Sequence, residues 1–438
     1  MGANRLKLFI RTDANASIAT GHLYRCMAIA EAACGLRKSA NEGMCDVEFI
    51  FGDSESLNVF NASRSVECCS DVGVMSTRAL FSYNEFDMEA ELPEMKEILK
   101  ACSAGESGDC GKPILLIDSY YVTERYLRVL SEYAYIAYID DLRQIDYEYD
   151  LVINYDCVND ENRLSYEESY SKAKRKLLGL AYTPLREQFA LDKEPDPKLE
   201  AYNNKAPGIS GKESPVKNIL IASGGSDPEH ALLRIAEDIM DIPNLHIHLL
   251  VGKLCTDRDK LLELAKENQR IAVHENVTDM AGLLTRMDMA VSAAGTTLYE
   301  LCACSVPTIS YSFADNQIPG AVAFDRAGVI PYAGDLRKDC EALASGDTVD
   351  MLSVKSSIEV SSGESDEVNE LNELNASNEA TIHSLIGKNG TCAPLGLIRE
   401  YITSLDAERA LTQASAMHSL IDGHGSERIA KELVNIVK

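Results

Sequence analysis

Short apolar runs rich in β-branched and aromatic residues alternate with longer stretches of helical period along the first part of the chain. LKLFIR, DVEFIFG, PILLIDS, YIAYIDD and DLVINY read as strands, and GHLYRCMAIAEAACGL reads as the helix between the first two. Parallel neighbours need a long crossover, usually helical, so strands that alternate with helices predict a parallel sheet covered on both faces. The pattern predicts a first α/β domain over residues 1–191, closing near LLGLAYTPLREQF.

The segment 192–217, DKEPDPKLEAYNNKAPGISGKESPVK, carries prolines, glycines and charges with no hydrophobic period and reads as a linker. The alternation then restarts with NILIASGG, the helix DPEHALLRIAEDIM, LHIHLLVG, TDRDKLLELAKEN, MAVSAAG, TTLYELCAC and PTISYS, which predicts a second domain of the same style over 218–335. From 336 to 394 the pattern gives way to Ser, Glu, Asp and Asn, as in a solvated insertion. The last segment, 395–438, ends in ERIAKELVNIVK, whose helical period predicts an amphipathic helix that docks on the body.

With 438 residues, 45% hydrophobic and 25% charged, the chain has material for two cores and the make-up of a globular protein. Its net charge of −27 argues against nucleic acid or an anionic membrane surface as partner, since both reward clustered Lys and Arg. An anionic ligand must then be held locally, by backbone amides and a few aimed side chains. The start, MGANRLKLFI, is too short and too soon polar for a secretory leader, and no apolar run approaches the roughly eighteen residues of a membrane span. A cytoplasmic protein is expected. Thirteen cysteines without CxxC spacing, and histidines whose one close pair is His246 and His248 in a strand, give no ligand pattern for a metal, and no cofactor is expected. Protein partners stay open.

Chemistry concentrates where strands run into helices, because ligands of open α/β sheets bind beyond the carboxyl ends of the strands. His22 stands after Gly21 at the first such junction, RTDANASIATGHLYRC. A neutral imidazole there is suited to act as a general base; a histidine that packs or caps at a helix start accounts for the pattern equally well. Asp13, Asp118, Asp140 and Asp141 fall at strand ends, placed to grip sugar hydroxyls, to orient His22, or simply to cap.

In IASGGSDPEH a strand runs into Gly224 and Gly225, with a helix start expected at Ser226 or Asp227 and Pro228 in its first turn. Exposed amides at such a helix end suit a phosphate; a tight turn capped by the aspartate is the other reading. SAAGTTLYEL repeats the arrangement with Ala294, Gly295, Thr296 and Thr297, and Glu300 lies one turn further, where a carboxylate can accept from ribose hydroxyls. SFADNQ adds Asn316 and Gln317 at another strand end. Two phosphate-type helix starts in one domain fit a nucleoside diphosphate better than a single anion.

Taken in order, IRTDANASIATGHLYRCMAIAEA, LLIDSYY, YIDDL, LVINYD, LLGLAYTPLREQF, ILIASGGSDPEHALLRIA, VSAAGTTLYELCACSVPTISYSFADNQ and LIDGHGSERIAKEL resemble the UDP-2,4-diacetamido-2,4,6-trideoxy-β-L-altropyranose hydrolases of pseudaminic acid biosynthesis, with the related spore-coat polysaccharide proteins. The resemblance implies a GT-B-like α/β fold, two Rossmann-like domains facing a cleft, and a UDP-sugar substrate. It implies hydrolysis at the anomeric carbon with inversion, with His22 as the base of a G-x-G-H-x-x-R motif whose first glycine is Ala19 here and whose arginine is Arg25. It implies substrate contacts from Asp13, Gly21, Arg25, Asp118, Tyr120, Asn154, Tyr182, Arg186, Asn316 and Gln317. Nucleotide contacts are implied for Gly224, Gly225, Ser226, Ala294, Gly295, Thr296, Thr297 and Glu300. A glycosyltransferase of the same fold, or a nucleotide-sugar-binding protein without catalysis, are the competing expectations.

Overall fold

The computed structural model describes residues 6–15, 20–39, 45–64, 75–80, 87–103, 111–159, 162–191, 216–338 and 394–437. The expected linker 192–217 and acidic segment 336–394 fall almost wholly outside the described residues, and Ala19 does too. The chain divides into two compact units, one of Met1–Asp192 with Ser419–Lys438 and the other of Lys193–His418.

In the first unit seven strands form one parallel sheet: β1 (Leu6–Thr12), β2 (Cys45–Phe51), β3 (Met75–Ala79), β4 (Ile114–Asp118), β5 (Tyr135–Ile139), β6 (Leu151–Asn154) and β7 (Lys176–Leu178), in the order β3-β2-β1-β4-β5-β6-β7. β3 and β7 were not legible as strands, being short, mixed in polarity and confined to the sheet edges, where pairing rather than pattern defines them. Alternation along β1 builds both cores: Leu6, Leu8 and Ile10 pack under the helix Gly21–Ser39, while Phe9 joins the cluster on the opposite face. The chain moves outward from β1 to β3 and then returns to β4 on the other side. The crevice at the carboxyl ends of β1 and β4 is therefore the topological switch point, where this architecture places ligands.

The second unit repeats the design with β8 (Asn218–Ala222), β9 (His246–Val251), β10 (Ile271–Glu275), β11 (Met289–Ala293), β12 (Thr308–Ser312) and β13 (Tyr332–Asp335), all parallel, in the order β10-β9-β8-β11-β12-β13. Its switch point lies between β8 and β11. The carboxyl-terminal segment, read from the sequence as one piece, is shared out by its apolar faces. Ile398, Tyr401, Ile402, Leu405 and Ala410 enter the core of the second unit, whereas Ile429, Ala430, Leu433 and Val434 of the helix Gly425–Ile436 enter the core of the first, against Gly21–Ser39. Among the described residues no helix is long and apolar enough to cross a membrane.

Candidate functional site

At the switch point of the first unit, Gly21 opens the helix that follows β1, and His22 is its second residue. β1 and β4 pair in a register that sets Thr12 beside Asp118, the last residue of β4. The imidazole and the carboxylate meet there: His22 Nδ1 lies 2.7 Å from Asp118 Oδ1. Arg25 follows His22 by three residues on the same helix face and donates from Nε to Asp118 Oδ2 at 2.6 Å and from Nη2 to Oδ1. The Cys26 thiol adds a weak contact to Oδ2 at 3.4 Å. All three partners are buried, with His22 at 5%, Arg25 at 8% and Asp118 at 1% exposure, so the pair is screened little by solvent.

The remaining guanidinium hydrogens reach the other strand ends. Arg25 Nη2 and Nη1 donate to Asp141 Oδ2 and Oδ1 at 2.9 and 3.1 Å, and Nη1 also meets the Tyr155 hydroxyl. Tyr120 donates to Asp141 Oδ2 at 3.4 Å and stands edge-on to the His22 ring, centroids 4.6 Å apart at 87°. The contacts close a circuit: His22, Asp118, Arg25, Asp141, Tyr120 and back to His22. Burial alone would raise the Asp118 pKa, but the Arg25 guanidinium and then His22 outweigh it and hold the carboxyl well below the usual carboxylate range. Burial, and next Asp141, push the Tyr120 hydroxyl up to about 12, so it remains a donor. An ionised carboxylate only accepts; the imidazole hydrogen facing it is then on Nδ1, and Nε2 presents a lone pair. The arrangement can take a proton at Nε2 and stabilise the resulting imidazolium.

Other expected substrate contacts also hold partners within the protein. Asp118 and Arg25 spend polar atoms on His22, Asp141, Tyr155 and each other. Asp13 is buried, with Oδ1 accepting from the Gly52 amide at 2.7 Å and Oδ2 from Arg11 at 2.6 Å, and Arg11 in turn pairs with Glu91. Asn154 donates to the Asp140 carbonyl and to Asp156 and accepts from the Asp156 amide, so its amide group pegs strand ends together. Asp140 accepts from the Leu142 and Arg143 amides and shapes the turn that delivers Asp141. Tyr182 packs against the core beneath Gly21–Ser39, and the Arg186 guanidinium lies 5.2 Å from the Phe189 ring centroid. Tyr155, which meets Arg25, was not singled out from the sequence; its one signal is its place directly after β6.

In the second unit the glycine-rich loop departs from expectation. The helix after β8 begins at Ala231, not at Ser226 or Asp227. Asp227 occupies the helix end itself, accepting from the Ala231 amide at 2.8 Å on Oδ1 and from the Leu232 amide at 3.1 Å on Oδ2, with Ser223 donating to Oδ1. The amides offered to a phosphate there are thus bound to the protein's own carboxylate. Gly224 (φ 77°), Gly225 and Ser226 remain exposed in the loop. Across the switch point, Gly295 precedes the helix Thr296–Ala303 with no side-chain cap, and the Ala294 amide is tied to the Tyr311 carbonyl. Thr296 is exposed there, and Gly295, Thr297 and Glu300 are half-buried. Gln317 Oε1 accepts from the Phe313 amide at 3.0 Å, folding that side chain onto its own loop, while Asn316 is exposed. Among the described residues no group of three or more His, Cys, Asp or Glu is arranged to hold a metal.

No protein-family model matches the chain. It is 29% identical over 115 residues to the spore coat polysaccharide biosynthesis protein SpsG of Bacillus subtilis, covering 26% of this chain and 34% of that protein. It is 25% identical over 247 residues to the pseudaminic acid cytidylyltransferase and UDP-2,4-diacetamido-2,4,6-trideoxy-beta-L-altropyranose hydrolase of Helicobacter pylori, covering 55% and 42%. An uncharacterized protein of Methanocaldococcus jannaschii is 22% identical over 315 residues, covering 69% and 55%. The chain thus spans about a third to about half the length of these curated relatives. Similar solved structures include Arabidopsis thaliana UGT89C1 complexed with UDP (9% identity, TM-score 0.52, covering 99% and 98%) and Phytolacca americana UGT2 complexed with UDP-2fluoro-glucose and pterostilbene (10%, 0.53, 99% and 100%). At such identities the likeness concerns the fold, which is of the GT-B type with two parallel α/β units.

Proposed function

We propose that the protein hydrolyses the anomeric C–O bond of a UDP-2,4-diacetamido-trideoxy sugar with inversion, releasing UDP and the free sugar, with His22 as the base that activates water. The observation that carries this reading is the 2.7 Å contact between His22 Nδ1 and a buried, Arg25-paired Asp118. As water attacks the anomeric carbon, its proton passes to Nε2 and the electrons of the C–O bond leave with the diphosphate. Asp118 stabilises the imidazolium without itself being protonated. A diphosphate leaves readily, so its departure calls for fixed dipoles rather than a strong acid. The similarity to a protein named as a UDP-diacetamido-sugar hydrolase supports this choice of substrate.

A glycosyltransferase that moves the sugar to an acceptor other than water is the second reading, favoured by the likeness to two UGT structures. Incubation with a panel of UDP-diacetamido sugars, following UDP and the anomer released, separates the readings. Release without acceptor supports hydrolysis, release only with an acceptor supports transfer, and binding without release leaves a non-catalytic nucleotide-sugar binder.

A further inference from the structure

The first helix of the second unit is directly preceded by a histidine backed by a buried carboxylate. His230 Nδ1 contacts Oδ2 of Asp257, in the segment after β9, and Lys260 Nζ holds the other oxygen at 2.8 Å. The Asp257 side chain is 4% exposed and the His230 side chain 53%. His230 adopts left-handed backbone (φ 54°, ψ 32°), a region that few non-glycine residues occupy without other contacts holding them. The His230 amide donates to the Asp227 carbonyl at 3.3 Å. The Gly225 carbonyl accepts from the Leu254 amide at 3.0 Å, and a Cβ on Gly252 would lie 2.3 Å from that same carbonyl oxygen, so the loops after β8 and β9 are locked together beside the switch point. The charged groups nearby include Asp257 and Lys260, which pair with each other, on its own loop Glu229 and Asp227, the latter engaged by the helix amides, and one turn into the helix Arg234, whose guanidinium donates to the Glu229 and Leu336 carbonyls.

We propose that His230, aimed by Asp257, contacts the phosphate of the nucleotide bound by the second unit. With the helix end taken by Asp227, the half-exposed imidazole stands with the exposed Gly224–Ser226 loop as a group that can meet an anion: Nδ1 is engaged by Asp257, which leaves Nε2 for hydrogen bonding to a phosphate oxygen. The assignment rests on the nucleotide reading above. Calorimetric titration of UDP and, by competition, uridine into the full chain and its variants tests it. His230→Asn tolerates left-handed backbone but lacks the reach; it is expected to weaken UDP binding roughly ten-fold or more with uridine unaffected and the melting temperature unchanged. His230→Gln, longer and still a donor, should recover part of the loss, and Asp257→Asn should weaken UDP less than His230→Asn does. Equal losses for uridine and UDP would assign His230 to the nucleoside and overturn the phosphate contact. Unchanged UDP affinity in His230→Asn would overturn the contact while leaving the nucleotide reading intact, and a wild-type chain that binds no UDP would overturn both.

Discussion

His22 Nδ1 and Asp118 Oδ1 lie 2.7 Å apart although 96 positions separate them in the chain. The contact fixes which nitrogen of the imidazole carries hydrogen, and it joins the two strand ends that flank the switch point of the first unit.

Asp118→Asn keeps the shape of this contact and reverses its chemistry. An amide NH2 facing Nδ1 favours the tautomer with hydrogen on Nε2, where the base needs a lone pair. Turnover is expected to fall by roughly 100- to 10,000-fold with UDP affinity unchanged, measured by saturation kinetics beside calorimetric binding.

Removing the cation has a different signature. Arg25→Met leaves the 1% exposed Asp118 carboxylate buried without its guanidinium and should destabilise the first unit by about 3 to 5 kcal/mol. Urea unfolding followed by a probe in that unit checks this, and a loss below about 1 kcal/mol would mean that the pair is far less consequential than its burial implies.

The second unit should lose stability in mild acid. His248 Nδ1 and His274 Nε2 lie 2.9 Å apart, a hydrogen bond that accommodates a single proton between the rings. Burial first, then His274, His246 and Arg286, lower the His248 pKa to about 4, and burial lowers that of His274 as well. Unfolded histidine titrates near 6.5, so between about 6.5 and 4 the unfolded chain binds more protons than the folded one. The stability contribution is complete above that window and is lost as pH falls through it. His248→Gln should therefore show a smaller drop in melting temperature than wild type between about pH 7.5 and pH 5; an equal drop in both would remove this pair as the cause.

Gly252→Ala probes the locked loops. Its methyl would sit 2.3 Å from the Gly225 carbonyl oxygen and 2.4 Å from that of Gly224, both backbone atoms, so the loop has to shift. A cost of about 1 to 3 kcal/mol and weaker UDP binding are expected. For the stability cost, Gly225→Ala, where an added Cβ meets nothing within 4 Å, serves as the comparison.

Apolar alternation was enough to anticipate the parallel sheets and to place His22 and the glycine loops at strand ends, because those features are set within a few residues. Strand-end carboxylates that could orient His22 were legible, but which of them meets it was not. Arg25 is three residues away, but its binding to Asp118 across 93 positions depends on β1 and β4 becoming neighbours, which no local pattern encodes. The helix start at Ala231 was misplaced because Pro228 suits a first turn, yet Asp227 takes a left-handed backbone (φ 53°) and folds its carboxylate over the later amides. Asp13 and Asn154 were expected as ligand contacts from their place at strand ends; the Gly52 amide on Asp13 and the Asp140 carbonyl met by Asn154 lie in other loops and could not be read locally.

The most direct test of the account is single-turnover hydrolysis of a UDP-2,4-diacetamido-trideoxy sugar, with no acceptor present, by the wild type and His22→Ala. The expected result is stoichiometric release of UDP and inverted free sugar by the wild type, with a rate roughly 100- to 10,000-fold lower in the variant and unchanged UDP affinity. A variant that releases UDP as fast as the wild type would contradict the role given to His22.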